Sequence, residues 1–528
     1  MKKLLPKIKN VKFIAISVFL LIAFGILVSL IPYTGNDWAW GSSEGVERLK
    51  NFFIETDGNY LGNVIAMLLT RSKALKIVIE AISLTLLCLL PYFLLKSKNI
   101  FTVLLSAMLT VFAPGEMFSG FAAYTTGFSK LMPALLFNLF YIYTVRNLFG
   151  EREPNYKKYV AYILFFGSFF SSLCCEYFAI YNVLFALLMI VWCRVKFYDA
   201  KNVNLFALLG SLLGTVCVFS NRSYYTKSDL LPGQIKYEGV RGFFFKLLDN
   251  AGLVSVKGIH ENIVIITVIT FLFVAYGIWY LKKNRDIKKT KKGLICACLA
   301  GLIVSLVIIA VVFSKYLYNT DDMPREYLNR YKISVIIGAI PFVVSLIFAI
   351  IILISEKRRR EFMLFLFAAF ILFGVPMLFF EDFFTGALFA PRMYLIIICA
   401  LLVEYMTKEI KPTPVARKAV FTGAAVYCAV GFVILFGAYG SADKLEAERA
   451  YYRALQNQVG QQTIYIKAAD EERLYNPNPY ENEDALNYKL FYKLDTGANL
   501  MVLDEDEYKK FKSEFDYAIE ESGTVLKE

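Results

Sequence analysis

The chain has 528 residues, 57% of them hydrophobic and only 19% charged, with a formal net charge of +13. That balance excludes an ordinary soluble domain, which is less apolar and more charged. The single histidine, His260, excludes a multi-His metal site or a histidine relay, and the basic excess does not read as a nucleic-acid surface, because it sits in short loops between long apolar runs.

At the N-terminus, MKKLLPKIKNVK is basic and precedes an apolar run over about 13–32. The run is too long for a signal peptide and lacks a small-residue cleavage site, so it reads as an uncleaved first span entering from the cytoplasm. Twelve further apolar runs follow, near 77–95, 100–113, 132–145, 159–172, 177–192, 205–219, 263–281, 294–313, 333–354, 363–380, 393–406 and 420–439. They are continuous, not alternating, and lipid offers no partner to free backbone groups, so they read as helices. Every second loop is short and basic, as in KKNRDIKKTKK and Glu356-Lys357-Arg358-Arg359-Arg360, while the loops between are longer and mixed in charge. That alternation predicts a cytoplasmic N-terminus, thirteen spans and an extracytoplasmic C-terminus.

The predicted fold class is an all-α polytopic membrane protein over residues 1–440 with a small α/β extracytoplasmic C-terminal domain over 441–528. In that domain 444–459 reads as a helix capped near Ser441 to Asp443, and 504–519 as a second helix with acids in its first turn. Segments 463–467 and 500–503 read as strands, and NPNPYENED between them as a turn-rich loop. All nine cysteines lie in apolar runs or at their edges, which implies neither a disulfide framework nor a zinc set.

The long outer loops carry the candidate chemistry. Asn36-Asp37-Trp38-Ala39-Trp40 sets an acid directly after the first span, between two of the four tryptophans. Such a pattern fits an interfacial aromatic belt with a solvated acid, and equally a catalytic carboxylate held where a lipid-linked head group arrives. Residues 46–54 can form an amphipathic interfacial helix, Asp57-Gly58-Asn59 is a turn, and 63–70 resumes helix. Glu80, Glu116, Glu176, Asp321, Asp322, Glu381 and Asp382 fall near outer span ends, where charge is costly and often functional; Glu116 and Glu176 have the most apolar or small neighbours. Glu404, near an inner end, snorkels. Asn221-Arg222-Ser223 matches a glycosylation sequon, which is discounted in a chain that looks bacterial.

These features together resemble the GT-C superfamily of multi-span glycosyltransferases, and more narrowly the bacterial Gtr type-II glucosyltransferase kind. The resemblance rests on Asn36-Asp37-Trp38, the juxtamembrane helix after it, and Asp57-Gly58-Asn59-Tyr60-Leu61-Gly62-Asn63. Cys175-Glu176-Tyr177 and Ala390-Pro391-Arg392 also fit. The class often has a double acid in the first loop; here its first position is Asn36.

The resemblance implies transfer of a sugar from a polyprenyl-phosphate donor to an envelope glycan or related acceptor, on the outer face of a bacterial plasma membrane. It makes Asp37 the general base, so that Asp37→Asn abolishes transfer while folding is kept; Glu116 and Glu176, the best placed of the acids near outer span ends, join it as catalytic candidates. Arg392 would stabilise the leaving phosphate, with Arg325, Arg222 and Arg241 as weaker candidates from other outer loops. Trp38, Trp40, Asn59 and Asn63 would line the substrate site. No metal ligands are assigned, and a divalent cation stays open as a cofactor. A glycine-rich phosphate loop is absent from the sequence. The competing readings are an O-antigen polymerase or ligase-like protein, and a polysaccharide or lipid flippase; a transporter is expected to show internal repeats and broken mid-membrane helices.

Overall fold

Helix dominates the chain, as an apolar backbone without water requires. The structure is a computed structural model and describes residues 11–522 apart from 55, 98, 151–152, 227–231, 317–324, 381–383, 470–473 and 475. Among the described residues eleven helices are long and apolar enough to cross a bilayer, or twelve if one bent pair counts as a single span. The chain is a polytopic membrane protein with an all-α body.

Two of the thirteen expected spans are not straight, full-length helices. The third breaks: Phe101–Val111 is followed by Gly115–Ala123 at an angle of 101°. Pro114 offers no amide to continue the ladder, and the Arg392 guanidinium takes up the carbonyls of Leu109 and Phe112 that the break frees. The fifth, Lys158–Ser172, has 15 residues, or ~22 Å of helix against a hydrocarbon core of ~30 Å. It lies along Asn202–Phe219 at close range. A Cβ on Gly210 would meet the Phe165 carbonyl oxygen at 2.2 Å, and Ser168 Oγ donates to the Ala207 carbonyl at 2.9 Å. Small residues of this kind let membrane helices approach closely.

The last apolar run does not stop at its expected end. Pro414–Gln458 is one helix of 45 residues, ~67 Å long. Ser441 to Asp443 therefore cap nothing, because the good helix formers after them extend the span without interruption. Beyond it, Thr463–Lys467 pairs in parallel with Asn499–Leu503, in the register Thr463 to Asn499. Asn482–Phe491 is helical, within and beyond the stretch expected as a loop, and Glu505–Ser522 is the final helix. Gln456 ties the strand to the long helix, its Nε2 donating to the Tyr465 carbonyl at 2.9 Å and its Oε1 accepting from the Tyr465 amide at 2.7 Å.

The two ends of the helical body differ. Basic loops converge at one end, where Lys96, Arg146, Arg358 and Arg359 line a common cavity. At the other end the C-terminal segment rests on the first long loop. Trp38 meets Tyr488 edge-on at 4.9 Å, Gly35 donates its amide to the Asn476 carbonyl at 3.0 Å, and Arg48 pairs with Glu483 at 3.5 Å. The helix in that loop is Ser43–Lys50, shorter than the expected 46–54, because Phe52 and Phe53 take left-handed φ values of 51° and 58°.

Candidate functional site

The Asp57 turn is held from several sides. Asp57 Oδ1 accepts the Asn59 amide at 3.0 Å, closing a side-chain turn, and also Asn63 Nδ2 at 2.7 Å from the first turn of Tyr60–Arg71. Asn221 Nδ2 donates to the Phe53 and Asp57 carbonyls at 2.9 and 3.1 Å, and the Gly58 amide donates to Tyr224 Oη at 3.2 Å. Two glycines make the fit possible. A Cβ on Gly58 would come within 2.2 Å of the Val218 carbonyl oxygen, and one on Gly62 within 2.4 Å of that of Cys174.

A lysine faces this turn. Lys130, one turn into Thr125–Val145, sets its Nζ 2.6 Å from Asp57 Oδ2, with both side chains about three-quarters buried. Burial alone would raise the Asp57 carboxyl; Lys130, Asn63 and the Asn59 amide hold it below the usual carboxylate range. Glu176 opens the helix Glu176–Phe197 within electrostatic reach of Lys130 and Asp57, and the Asn59 side chain adjoins it. Burial, then the charges of Glu176 and Asp57, push the Tyr224 hydroxyl far above its usual range. Asp57, Lys130, Glu176, Asn59, Asn63 and Tyr224 thus form one cluster at the end of the body away from the basic loops.

The cluster leaves hydrogen-bonding capacity open. Glu176 Oε2, Asn59 Oδ1 and Asn63 Oδ1 are buried without a well-formed protein hydrogen bond, and Asn59 Nδ2 reaches toward the Glu176 carboxylate without good geometry. Buried polar atoms are normally paired, and each orphan costs about 1–3 kcal/mol. Three of these four atoms are acceptor oxygens, so the place suits a partner that donates hydrogen bonds, as hydroxyl groups do.

Asp37 and Arg392 are arranged otherwise. Asp37 is fully buried, and its oxygens accept the amides of Thr126 at 2.8 Å, Thr125 at 3.2 Å and Thr34 at 3.4 Å, and Thr126 Oγ1 at 2.7 Å. It caps the helix that carries Lys130, taking up N-terminal amides that otherwise lack partners. Burial pushes its carboxyl up, against Lys76 and the Thr126 bonds. Arg392, also fully buried, donates from Nη2 to the Leu109 and Phe112 carbonyls at 3.0 Å each and from Nη1 to the Glu261 carbonyl at 3.0 Å. Its Nε also donates to the Leu109 carbonyl at 3.3 Å, so four of its five N–H donors are taken up in capping the broken third helix and holding the Glu261 carbonyl.

The other expected residues scatter. Glu116 is exposed on the short helix after the break, and with Glu261 it raises the pKa of His260, the Glu261 hydrogen bond contributing most. Trp38 packs on Tyr488 and donates to the Tyr33 carbonyl at 3.1 Å. Trp40 packs on Phe53 and under Arg48. Asn221 is buried and bonded, which leaves no amide for a glycan. The side chains of Arg325 and Arg241, and residues Asp321, Asp322, Glu381 and Asp382, lie outside what the structure describes. Of the expected set, the structure brings together Asn59, Asn63 and Glu176, and joins to them Asp57, Lys130 and Tyr224.

No family model, curated protein or solved structure matches the chain significantly. The site therefore stands on its own geometry. Among the described residues no three His, Cys, Asp or Glu side chains converge as metal ligands. Lys130 was missed because Thr125-Thr126-Gly127-Phe128-Ser129-Lys130 reads as the fringe of a span. The available signal was a single cation entering an apolar run, which in a membrane protein marks a candidate site.

Proposed function

We propose that the chain is a glycosyltransferase that uses a polyprenyl-phosphate sugar, with the Asp57–Lys130–Glu176 cluster as its reaction centre. The observation that carries this reading is the set of unpaired buried oxygens and amides gathered around Lys130. Glu176 Oε2 is the free carboxylate oxygen and takes the proton from the acceptor hydroxyl as that oxygen attacks the sugar's anomeric carbon. The bond from that carbon to the phosphate oxygen breaks with its electron pair leaving on phosphate. Lys130 offsets the charge that develops there. Asn59 and Asn63 hydrogen-bond sugar hydroxyls, and Asp57 orients Lys130. Asp37 acts at one remove, as a positioning residue that fixes the end of the helix carrying Lys130.

A lipid-borne donor suits the surroundings. Phe52 and Ile54, beside the Asp57 turn, are large apolar side chains exposed at 77% and 47%, as expected of a segment lying in a membrane interface. With the basic loops cytoplasmic, the cluster and the C-terminal segment face outward and the acceptor is an envelope glycan.

The test is transfer of labelled sugar from a synthetic polyprenyl-phosphate donor by membranes containing wild type or Glu176→Gln. Loss of product in the variant at equal protein level and equal melting temperature is the expected result. Full activity in Glu176→Gln ends the proposal, and donor flipped across vesicles without transfer moves the chain to the transporter class.

A further inference from the structure

The opposite end of the body holds a second site that the proposed reaction does not use. A cavity of about 710 Å³ opens between the start of Phe101–Val111, the end of Phe389–Ile410 and the start of Pro414–Gln458. Lys12, Arg359, Lys408, Arg417 and Lys418 line it, with Glu404 the one acid. Ile100, Phe101, Val403 and Phe421 supply its apolar wall. A smaller cavity of about 160 Å³ shares Arg359 and Glu404 with it and adds Lys96, Arg146 and Arg358.

Cations outnumber anions here even after the ion pairs are drawn. Glu356 is shared between Arg359 at 3.2 Å and Lys408 at 3.6 Å, and Glu404 reaches Arg359 only at 3.9 Å. Among the described residues Lys12, Arg417 and Lys418 have no acid within ion-pair distance. Arg359 Nη1 and Arg146 Nε are buried without a hydrogen-bond partner. Burial, with Arg146 and Arg358 nearby, pushes the Lys96 ammonium below its usual range, a further sign of uncompensated positive charge.

We infer that this cavity binds the phosphate head group of an anionic phospholipid, with the acyl chains along the Phe101 and Phe421 wall. A soluble anion would gain nothing from an apolar wall beside the cations, whereas a lipid uses both. Arg359 grips the phosphate, held in place by Glu356 and by the ring of Tyr405, whose centroid lies 5.7 Å from its Cζ. Lys408, Arg417 and Lys418 supply charge at the rim.

Native mass spectrometry of the full-length protein, exchanged into micelles carrying phosphatidylglycerol or phosphatidylcholine, tests the site. Phosphatidylglycerol is expected to be retained preferentially, and retention to fall roughly fivefold for each cation removed. The decisive variant is Arg417→Ala with Lys418→Ala, because both side chains are exposed and their loss leaves the fold intact; Arg359→Gln adds the buried contact. Equal retention of the two lipids, or unchanged retention in the double variant, overturns the inference. Displacement of the lipid by inorganic phosphate alone overturns it in favour of a free-anion site.

Discussion

Two groups of charged residues at the same end of this molecule have opposite hydrogen-bond accounts. Asp37 and Arg392 are fully buried with their polar atoms satisfied, one at the start of a helix and the other at the end of one. Asp57, Lys130 and Glu176 are partly open and surrounded by unpaired atoms. Residue type and sidedness do not separate the two groups. What separates them is whether the backbone has already consumed the charge. A saturated charge fastens helices, and an unsaturated one awaits a ligand.

The comparison is sharpest in activity. Glu176→Gln is expected to lower transfer by about 10²–10⁴-fold with no change in melting, measured on purified protein in detergent. Arg392→Ala is expected to act the other way. It strands three backbone carbonyls and costs on the order of 3 kcal/mol or more, read as a lower thermal midpoint and poor yield. Asp37→Asn turns an amide donor toward the donors of Thr34, Thr125 or Thr126, which costs about 1–3 kcal/mol. If Asp37→Asn melts like wild type yet makes no product, the comparison breaks and Asp37 is the base after all.

The smallest effect is in pH. The folded carboxyl of Asp57 sits below its ordinary value, so its pairing with Lys130 stabilises the fold above the unfolded pKa of about 4. That contribution is lost as pH falls through the lower folded value. Thermal midpoints measured from neutral to acid pH should therefore show an Asp57-dependent drop only below about pH 4. An identical acid profile in Asp57→Asn removes the ion pair from the account.

Much of the body was legible beforehand. Every apolar run coincides with a helix, because length and hydropathy act locally and lipid permits few alternatives. The strands Thr463–Lys467 and Asn499–Leu503 were legible from their β-branched and aliphatic residues. The break after Val111 was not, since it depends on Arg392, far along the chain, accepting the task of capping. The fusion of the last span with the helix after it was hidden by Ser441 to Asp443, which resemble a cap yet are tolerated inside a helix.

The site divides in the same way. Glu176, Asp37 and Arg392 stood out as charges at span boundaries, and Asn59 and Asn63 as polar residues of the turn and helix inside the first outer loop; the sequence by itself determined these positions. Only the tertiary structure decided which of them are spent. Helix ends demand partners for their free amides and carbonyls, and which charge meets that demand depends on which ends are brought together in space. Asp37 met the Thr125 helix and Arg392 met the broken third helix. Glu176 met a lysine and the Asn59 amide, with bonds still to make.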